Sequence, residues 1–355
     1  MSNLKRWTIP ATHTSSETDR EVRKVTAAGF RSYESAPALS PAKPQFVRAG
    51  KAGGLPFETL TTDLFAGCLP AREICYGNCF AARGAYSAGV DFAVRVRNIL
   101  DRDLFVSDLQ LLPANQKFLR NGWNSDPSWD WSEALRLARW IRESGRLTIF
   151  NTKSFTRLDP AIMKELAALK AEFWLCVSAF DTDAQLEHRI GTIESYREAG
   201  GVAVPLVMTT RFLWPELNDK QDRLVRYMVD HDLPAAENSL RFAPHSPVLD
   251  LLDMSRLRPI AQTGDFWCGR LYDGVLLVPT TSSLPCSYSG MQSSYLSGND
   301  PEFLKSLYCD PVPTQEEVLA SPPLQKPLQA GVPLVQLAGV ERGNRGGTDR
   351  QRWSV

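Results

Sequence analysis

The chain has 355 residues, 43% of them hydrophobic, and its 40 Lys plus Arg are matched by 40 Asp plus Glu, so the formal charge is zero. That is enough apolar sequence for a sizeable core without disulfides, and no run approaches the ~20 apolar residues of a membrane-spanning helix, so no membrane partner is expected. A balanced charge leaves no global footprint for nucleic acid, which is therefore not favoured as a partner, although a local basic groove stays compatible with it.

Residues 1–55 read as an N-terminal extension, partly irregular: polar, without a clear hydrophobic period, and with Pro37, Pro41 and Pro44 close together. The opening MSNLKRWTIPATHTSSETDR has no apolar segment of the secretory kind. A cytoplasmic location is expected, where thiols stay reduced. The seven cysteines then read as metal ligands or reactive thiols.

FETLTTDLF reads as a strand and leads into GCLPAREICYGNCFAARG, with a helix expected to follow. Cys68, Cys75 and Cys79 are spaced C-x6-C-x3-C. Three thiolates on one loop can hold three corners of an iron–sulfur cube and leave the fourth iron open for chemistry. Zinc is the competing reading. Structural zinc takes four ligands, usually from close pairs; no close pair is present, though one distant ligand would complete a set.

Strands and helices then alternate. After RNGWNSDPSWDW comes the helical pattern WSEALRLARWIRES, with Ser132 as its expected N-cap. LTIFNT is a strand, and Asp159 with Pro160 opens the helix DPAIMKELAALK. FWLCVS is a strand, TIESYREAGG a helix ending at a Gly pair, VAVPLVM a strand, KQDRLVRYMVDH a helix and SLRFAP a strand. This alternation argues for a parallel sheet, with ligands at the carboxyl ends of its strands. Those ends carry Asn124, Ser125 and Asp126; Asn151, Thr152, Lys153 and Ser154; Ser178 and Asp181, followed by Glu187, His188 and Arg189; and Thr209, Thr210 and Arg211. Each position alone fits ordinary loop solvation.

Taken in order over roughly residues 57 to 245, these features resemble radical S-adenosylmethionine (SAM) enzymes. The likeness is to the branch around spore photoproduct lyase and to phage-encoded relatives with a GC…C…CYA loop. The matching motifs are GC…C…CF at 67–80, SDP at 125–127, TKS at 152–154, VS at 177–178 and the Arg189 region. Two features depart from the pattern. Most members use C-x3-C-x2-C, and SDP stands where a Gly-Gly-Glu strand is usual. The lesion-binding machinery of the lyase branch is not recognisable, so the resemblance carries cofactor chemistry and not substrate.

The resemblance implies an α/β fold: a partial (β/α)6 TIM-like barrel of parallel strands with N-terminal and C-terminal extensions. The barrel would span 56–250, a cysteine-containing region 251–340 and a flexible tail 341–355. It implies a [4Fe–4S] cluster on Cys68, Cys75 and Cys79 whose open iron chelates SAM. Reductive cleavage would give a 5′-deoxyadenosyl radical that takes hydrogen from a small-molecule or peptide substrate. The reductant would be a flavodoxin- or ferredoxin-type protein. Ser125 and Asp126 would meet the SAM ammonium; Lys153, Ser154 and Ser178 its ribose or carboxylate; Arg189 its carboxylate. Each has a plainer reading: Asp126-Pro127 as a turn, Lys153 as solvated surface, Arg189 as an ion pair with Glu187 or Glu194.

Cys176, inside FWLCVS, reads as a buried core thiol. Cys268, Cys286 and Cys309 are candidate ligands of a second iron–sulfur cluster, since CGRLYDGVLLVPTTSSLPC loosely resembles auxiliary-cluster regions. They are also readable as a hydrogen-donating thiol or as three unrelated thiols. His188 and His245 fall near strand ends, and Trp123, Trp129 and Trp131 could wall a pocket or fill the core. Two other function classes stand beside the radical one. The first is a non-catalytic zinc or iron–sulfur protein with structural cysteines, in one version associated with nucleic acid. The second is a metal-free TIM-like enzyme.

Overall fold

Alternation of side chains along the strands decides how this chain folds. In EFWLCVS every second residue (Phe173, Leu175 and Val177) is apolar with Trp174 and Cys176 between them, and in LTIFNT Ile149 and Phe150 are buried on opposite faces, so each strand has two faces to bury. The computed structural model describes residues 15–34, 39–51, 60–68, 75, 79–112, 118–122, 124–233, 235–244, 246–260, 264–272 and 275–276. Seven strands form its main sheet in chain order: β1 (Gly50–Lys51), β2 (Leu60–Thr61), β3 (Phe118–Asn121), β4 (Leu147–Thr152), β5 (Glu172–Ser178), β6 (Val202–Thr209) and β7 (Ala236–Ser239). Strands β2 to β7 are parallel, and β1 pairs antiparallel with β2 at the edge.

Helices fill the crossovers. An N-terminal helix α1 (Ser16–Glu34) precedes the sheet; α2 (Phe80–Ser87) and α3 (Arg102–Leu111) lie between β2 and β3. Helices α4 (Trp131–Glu143), α5 (Pro160–Ala168), α6 (Asp183–Glu198) and α7 (Pro215–Asp230) link the successive strands from β3 to β7. Phe150, Phe173, Leu175, Val177 and Val207 point from the sheet into one core with Leu137, Ile141, Leu166, Ile190 and Leu224 of the helices. Ile149, Trp174, Val204, Leu206 and Ala236 cluster on the other, interior face. The fold is thus the expected α/β partial barrel of parallel strands. Its aromatic centre is tight: Phe173 and Tyr196 stack at 4.0 Å, and the Tyr196 hydroxyl donates to the Ala171 carbonyl at 2.8 Å.

Several boundaries differ from the expectation for local reasons. The N-cap of α4 is Asp130, which accepts from the Glu133 amide at 3.0 Å, and not Ser132. A 3-10 turn over Pro127–Asp130, started by Pro127, moves the cap two residues forward. Helix α6 begins at Asp183, well before TIESYREAGG, because Thr182 and Gln185 form a reciprocal capping box. Helix α7 starts at Pro215, and β7 runs Ala236–Ser239, ahead of most of SLRFAP. Helix α1 is a regular element inside the extension that reads as partly irregular. Its Val25 packs with Phe180, Phe212 and Val248, and Thr18 Oγ1 donates to Glu216 at 2.7 Å. Among the described residues no helix is long and apolar enough to cross a membrane. Cys286, Cys309, Trp123, His245 and the tail 341–355 lie outside the described residues.

Candidate functional site

The cysteine loop starts from a forced close approach. Gly67 has φ +84°, and a Cβ there would lie 2.4 Å from the Val94 carbonyl oxygen, so only glycine brings the chain this near. Next to it, the Cys68 amide donates to the Phe92 carbonyl at 2.8 Å. Cys79 is the N-cap of α2, in extended conformation. All three loop thiols are partly buried. Burial pushes the Cys68 thiol well up, reinforced by the Asp126 carboxylate and by Cys75 and Cys79, while the Trp129 indole N–H opposes it. Burial also pushes Cys79 up to about 11, against the amides of Ala82 and Ala81 at the start of α2.

Of the loop, Cys75 is coupled to groups at the ends of β4 and β5. Cys75 interacts electrostatically with Lys153, Arg189 and Cys176. Cys176 lies on the interior face of β5, in line with Trp174 and Ser178 and opposite Leu206 of β6. Burial pushes its thiol up to about 12, with Lys153 opposing. Cys176 packs against the Trp174, Val204 and Leu206 cluster, the core placement expected of it, and it is also electrostatically coupled to Cys75 of the loop. Among the described residues no three His, Cys, Asp or Glu side chains converge as a ready-made metal cage. The donor set is nonetheless a soft one, suited to iron–sulfur or zinc, with cations close by.

Asp126 straps two strand ends together. Its carboxylate accepts from Thr152 Oγ1 at 2.6 Å, the Lys153 amide at 2.7 Å and the Ser128 amide at 2.9 Å. It is buried, and these donors use both of its oxygens. Ser125 Oγ donates to Asp63 Oδ1 at 3.4 Å, and the Asn124 amide donates to the other oxygen at 3.1 Å. Ser154 has φ +50°, held by its amide bond to Thr152 Oγ1 at 2.8 Å, and its carbonyl accepts from His188 Nε2 at 2.7 Å.

Asp181 is the hub. It accepts the Ser178 amide at 2.9 Å, pairs with Arg189 Nη1 at 2.5 Å and lies 3.6 Å from Lys153 Nζ. Its own carbonyl accepts from Lys220 Nζ at 2.6 Å. Burial alone would raise its carboxyl, but Arg189 and Lys153 outweigh it and hold the group at about 2. Burial disfavours both cations, and Asp181 reverses this and keeps each firmly protonated. The structure therefore brings Asp126, Lys153, Ser154, Ser178 and Arg189 together, with Ser125 on the adjoining loop. Trp131 is core, stacked on Phe173 at 5.4 Å. Trp129 belongs to a column: Arg95 lies 4.7 Å over its ring, Phe155 stacks on it at 5.0 Å, and Arg189 lies 5.9 Å over Phe155.

Cys268 sits elsewhere, at the ends of β6 and β7. Its Sγ is 3.6 Å from Ser239 Oγ and donates to the Gly269 carbonyl at 3.3 Å. Burial raises its thiol, with Ser239 and Thr210 opposing and Glu237 adding. Sequence reasoning listed Asp181 among the polar strand ends without giving it a role, and its core placement of Cys176 holds, with the two-residue spacing from the strand-end Ser178 marking the face on which it lies.

Fold and site together define an α/β partial barrel with a cysteine loop and a buried cation–carboxylate group at the carboxyl ends of its parallel strands. No family model matches the chain, and no curated protein matches it. Among solved structures the chain is similar to methylornithine synthase (PylB), at 12% identity and a TM-score of 0.35, over 68% of this chain and 65% of that one. The chain thus spans just under two thirds of that structure's length.

Proposed function

We propose that this chain is a radical SAM enzyme, with a [4Fe–4S] cluster held by Cys68, Cys75 and Cys79. The observation that carries the reading is that the three loop thiols are electrostatically coupled to one another and, through Cys75 and Cys79, to the Lys153 and Arg189 cations that Asp181 holds at the strand ends. When bound, the cluster and SAM would supply a 5′-deoxyadenosyl radical for hydrogen abstraction. The chain's own residues orient the ligand and exclude water. Lys153 offers a cation to a carboxylate, Asp126 fixes the backbone that carries Lys153, and the interior face of β4 to β7 walls off solvent. A small-molecule or peptide substrate and a flavodoxin- or ferredoxin-type reductant complete the proposal. Anaerobic reconstitution with iron and sulfide, then reduction with SAM, should yield 5′-deoxyadenosine from the wild type and none from Cys75→Ala.

A second reading is supported by one observation, the fourth thiol. Cys176, electrostatically coupled to Cys75, would be the fourth sulfur ligand beside the three loop cysteines, a set that would suit structural zinc or a closed cluster. That reading expects a metal-dependent fold and no SAM cleavage.

A further inference from the structure

The two cations at the strand ends are not equivalent. Arg189 is 3% exposed at its side chain, and its guanidinium is committed inside the protein: Nη1 to Asp181 at 2.5 Å and Nε donating to the Lys153 carbonyl at 2.7 Å. Lys153 is 16% exposed at its side chain, the most open group of the cluster. Its backbone is pinned at both polar atoms. Its amide donates to Asp126, its carbonyl accepts from Arg189, and its ammonium faces Asp181 at 3.6 Å. One carboxylate thus shares two cations, and the surplus positive charge resides at the open end.

We propose that Asp181 is a positioning residue that divides the labour of two cations, holding Arg189 as an internal brace and presenting Lys153 at the mouth to the carboxylate of the bound ligand. The ligand's identity as SAM rests on the reading above, whereas the pairing of Asp181 with Lys153 does not. The distance of 3.6 Å is longer than a tight charge-assisted bond, which leaves the ammonium two further donor directions for an incoming oxygen. Arg189 acts through Lys153, because its bond to the Lys153 carbonyl sets where the side chain begins. Lys220, bonded to the Asp181 carbonyl, fixes the turn from behind.

The test has a ligand-free arm. Acetic anhydride labelling of the folded protein, read by mass spectrometry, compares Lys153 with the exposed Lys164 and Lys170. Lys153 should label far more slowly in the wild type and in Asp181→Glu, and should speed up in Asp181→Asn as its counter-charge goes. Labelling unaffected by Asp181→Asn overturns the pairing. The second arm measures SAM affinity of the reconstituted protein together with iron content and melting. Lys153→Met should weaken SAM binding by about tenfold or more with melting unchanged. Arg189→Met should lower the melting temperature, and the Asp181→Asn plus Lys153→Met double variant should bind no worse than Lys153→Met alone. Additive losses, or affinity that follows Arg189 and not Lys153, overturn the division of labour. A wild type that holds its cluster and binds no SAM refutes the radical SAM reading, while the labelling arm still decides whether Asp181 positions Lys153.

Discussion

Arg83 of α2 and Asp265, beyond the last strand of the sheet, form a two-bonded ion pair, with Nη1–Oδ1 at 3.0 Å and Nη2–Oδ2 at 3.3 Å. The pair ties the helix that follows the cysteine loop to the segment beyond β7, and so links the two ends of an open sheet. Asp265 is 6% exposed at its side chain, so removing the arginine leaves a buried carboxylate without this partner. Arg83→Ala should cost about 2 kcal/mol in urea denaturation. Asp265→Asn, which removes the buried charge instead, should cost less. Equal costs would mean that the arginine's packing, and not its charge, matters.

Gly67→Ala should be among the most damaging single-methyl changes in the chain. The added carbon would meet the Val94 carbonyl oxygen at 2.4 Å and the Phe92 carbonyl oxygen at 2.9 Å, at a φ of +84°. Both walls are backbone, so no side chain can swing away. A loss of about 3 kcal/mol is expected. Cys68 is the next residue, so bound iron or zinc per folded chain should fall as well. A variant with normal stability and full metal content would refute the close approach.

Asp181 sets an acid limb. Its folded-state value of about 2 lies below the ordinary carboxyl value of 3.8, so its stabilisation is fully present above about pH 4. As pH falls from there toward 2, the unfolded chain takes up the proton before the native one, and stability drops. The contribution is on the order of 2 kcal/mol. Asp181→Asn should flatten the stability curve between pH 4 and 2, relative to its own neutral value. An unchanged slope would show that other carboxylates govern the acid limb.

Much of this arrangement was legible in the sequence, and the gaps have physical causes. LTIFNT and the Asp159-Pro160 helix start were readable because β-rich composition and a proline at the first helical position are local signals. Ser132 lost to Asp130 because both are good caps and the choice was made by the turn that Pro127 starts. Cys176 was hidden because β5 is apolar on both faces, which erases the alternation that would have marked its side. Asp181 was visible as a strand-end carboxylate but its role was not, since its partners come from β4, α6 and α7 and meet only in space.

Asp126 should behave as a strut. Three donors converge on its carboxylate, from Thr152, Lys153 and Ser128. In Asp126→Asn one oxygen becomes an NH2 group that must face at least one of these donors. A loss of about 2 to 3 kcal/mol is expected, measured by denaturation. Thr152→Val, which removes one donor and keeps the carboxylate, should cost about 1 kcal/mol. If Asp126→Asn were neutral for stability yet abolished ligand binding, Asp126 would be a ligand contact and not a strut.

Cys176 decides between three sulfur ligands and four. Its buried thiol is electrostatically coupled to both Lys153 and Cys75. If the loop cysteines alone hold the metal centre, Cys176→Ala leaves iron and sulfide content and the cluster's spectrum unchanged, at a stability cost of about 1 kcal/mol for a small buried side chain. If four thiolates close the site, the same variant loses metal or acquires a new exchangeable ligand, and Cys75→Ala and Cys176→Ala give matching losses. Three sulfur ligands leave an iron free for SAM; four leave none. Metal analysis of Cys176→Ala beside Cys75→Ala therefore separates a radical enzyme from a structural metal protein before any substrate is known. The expected result is metal content lost in Cys75→Ala and kept in Cys176→Ala.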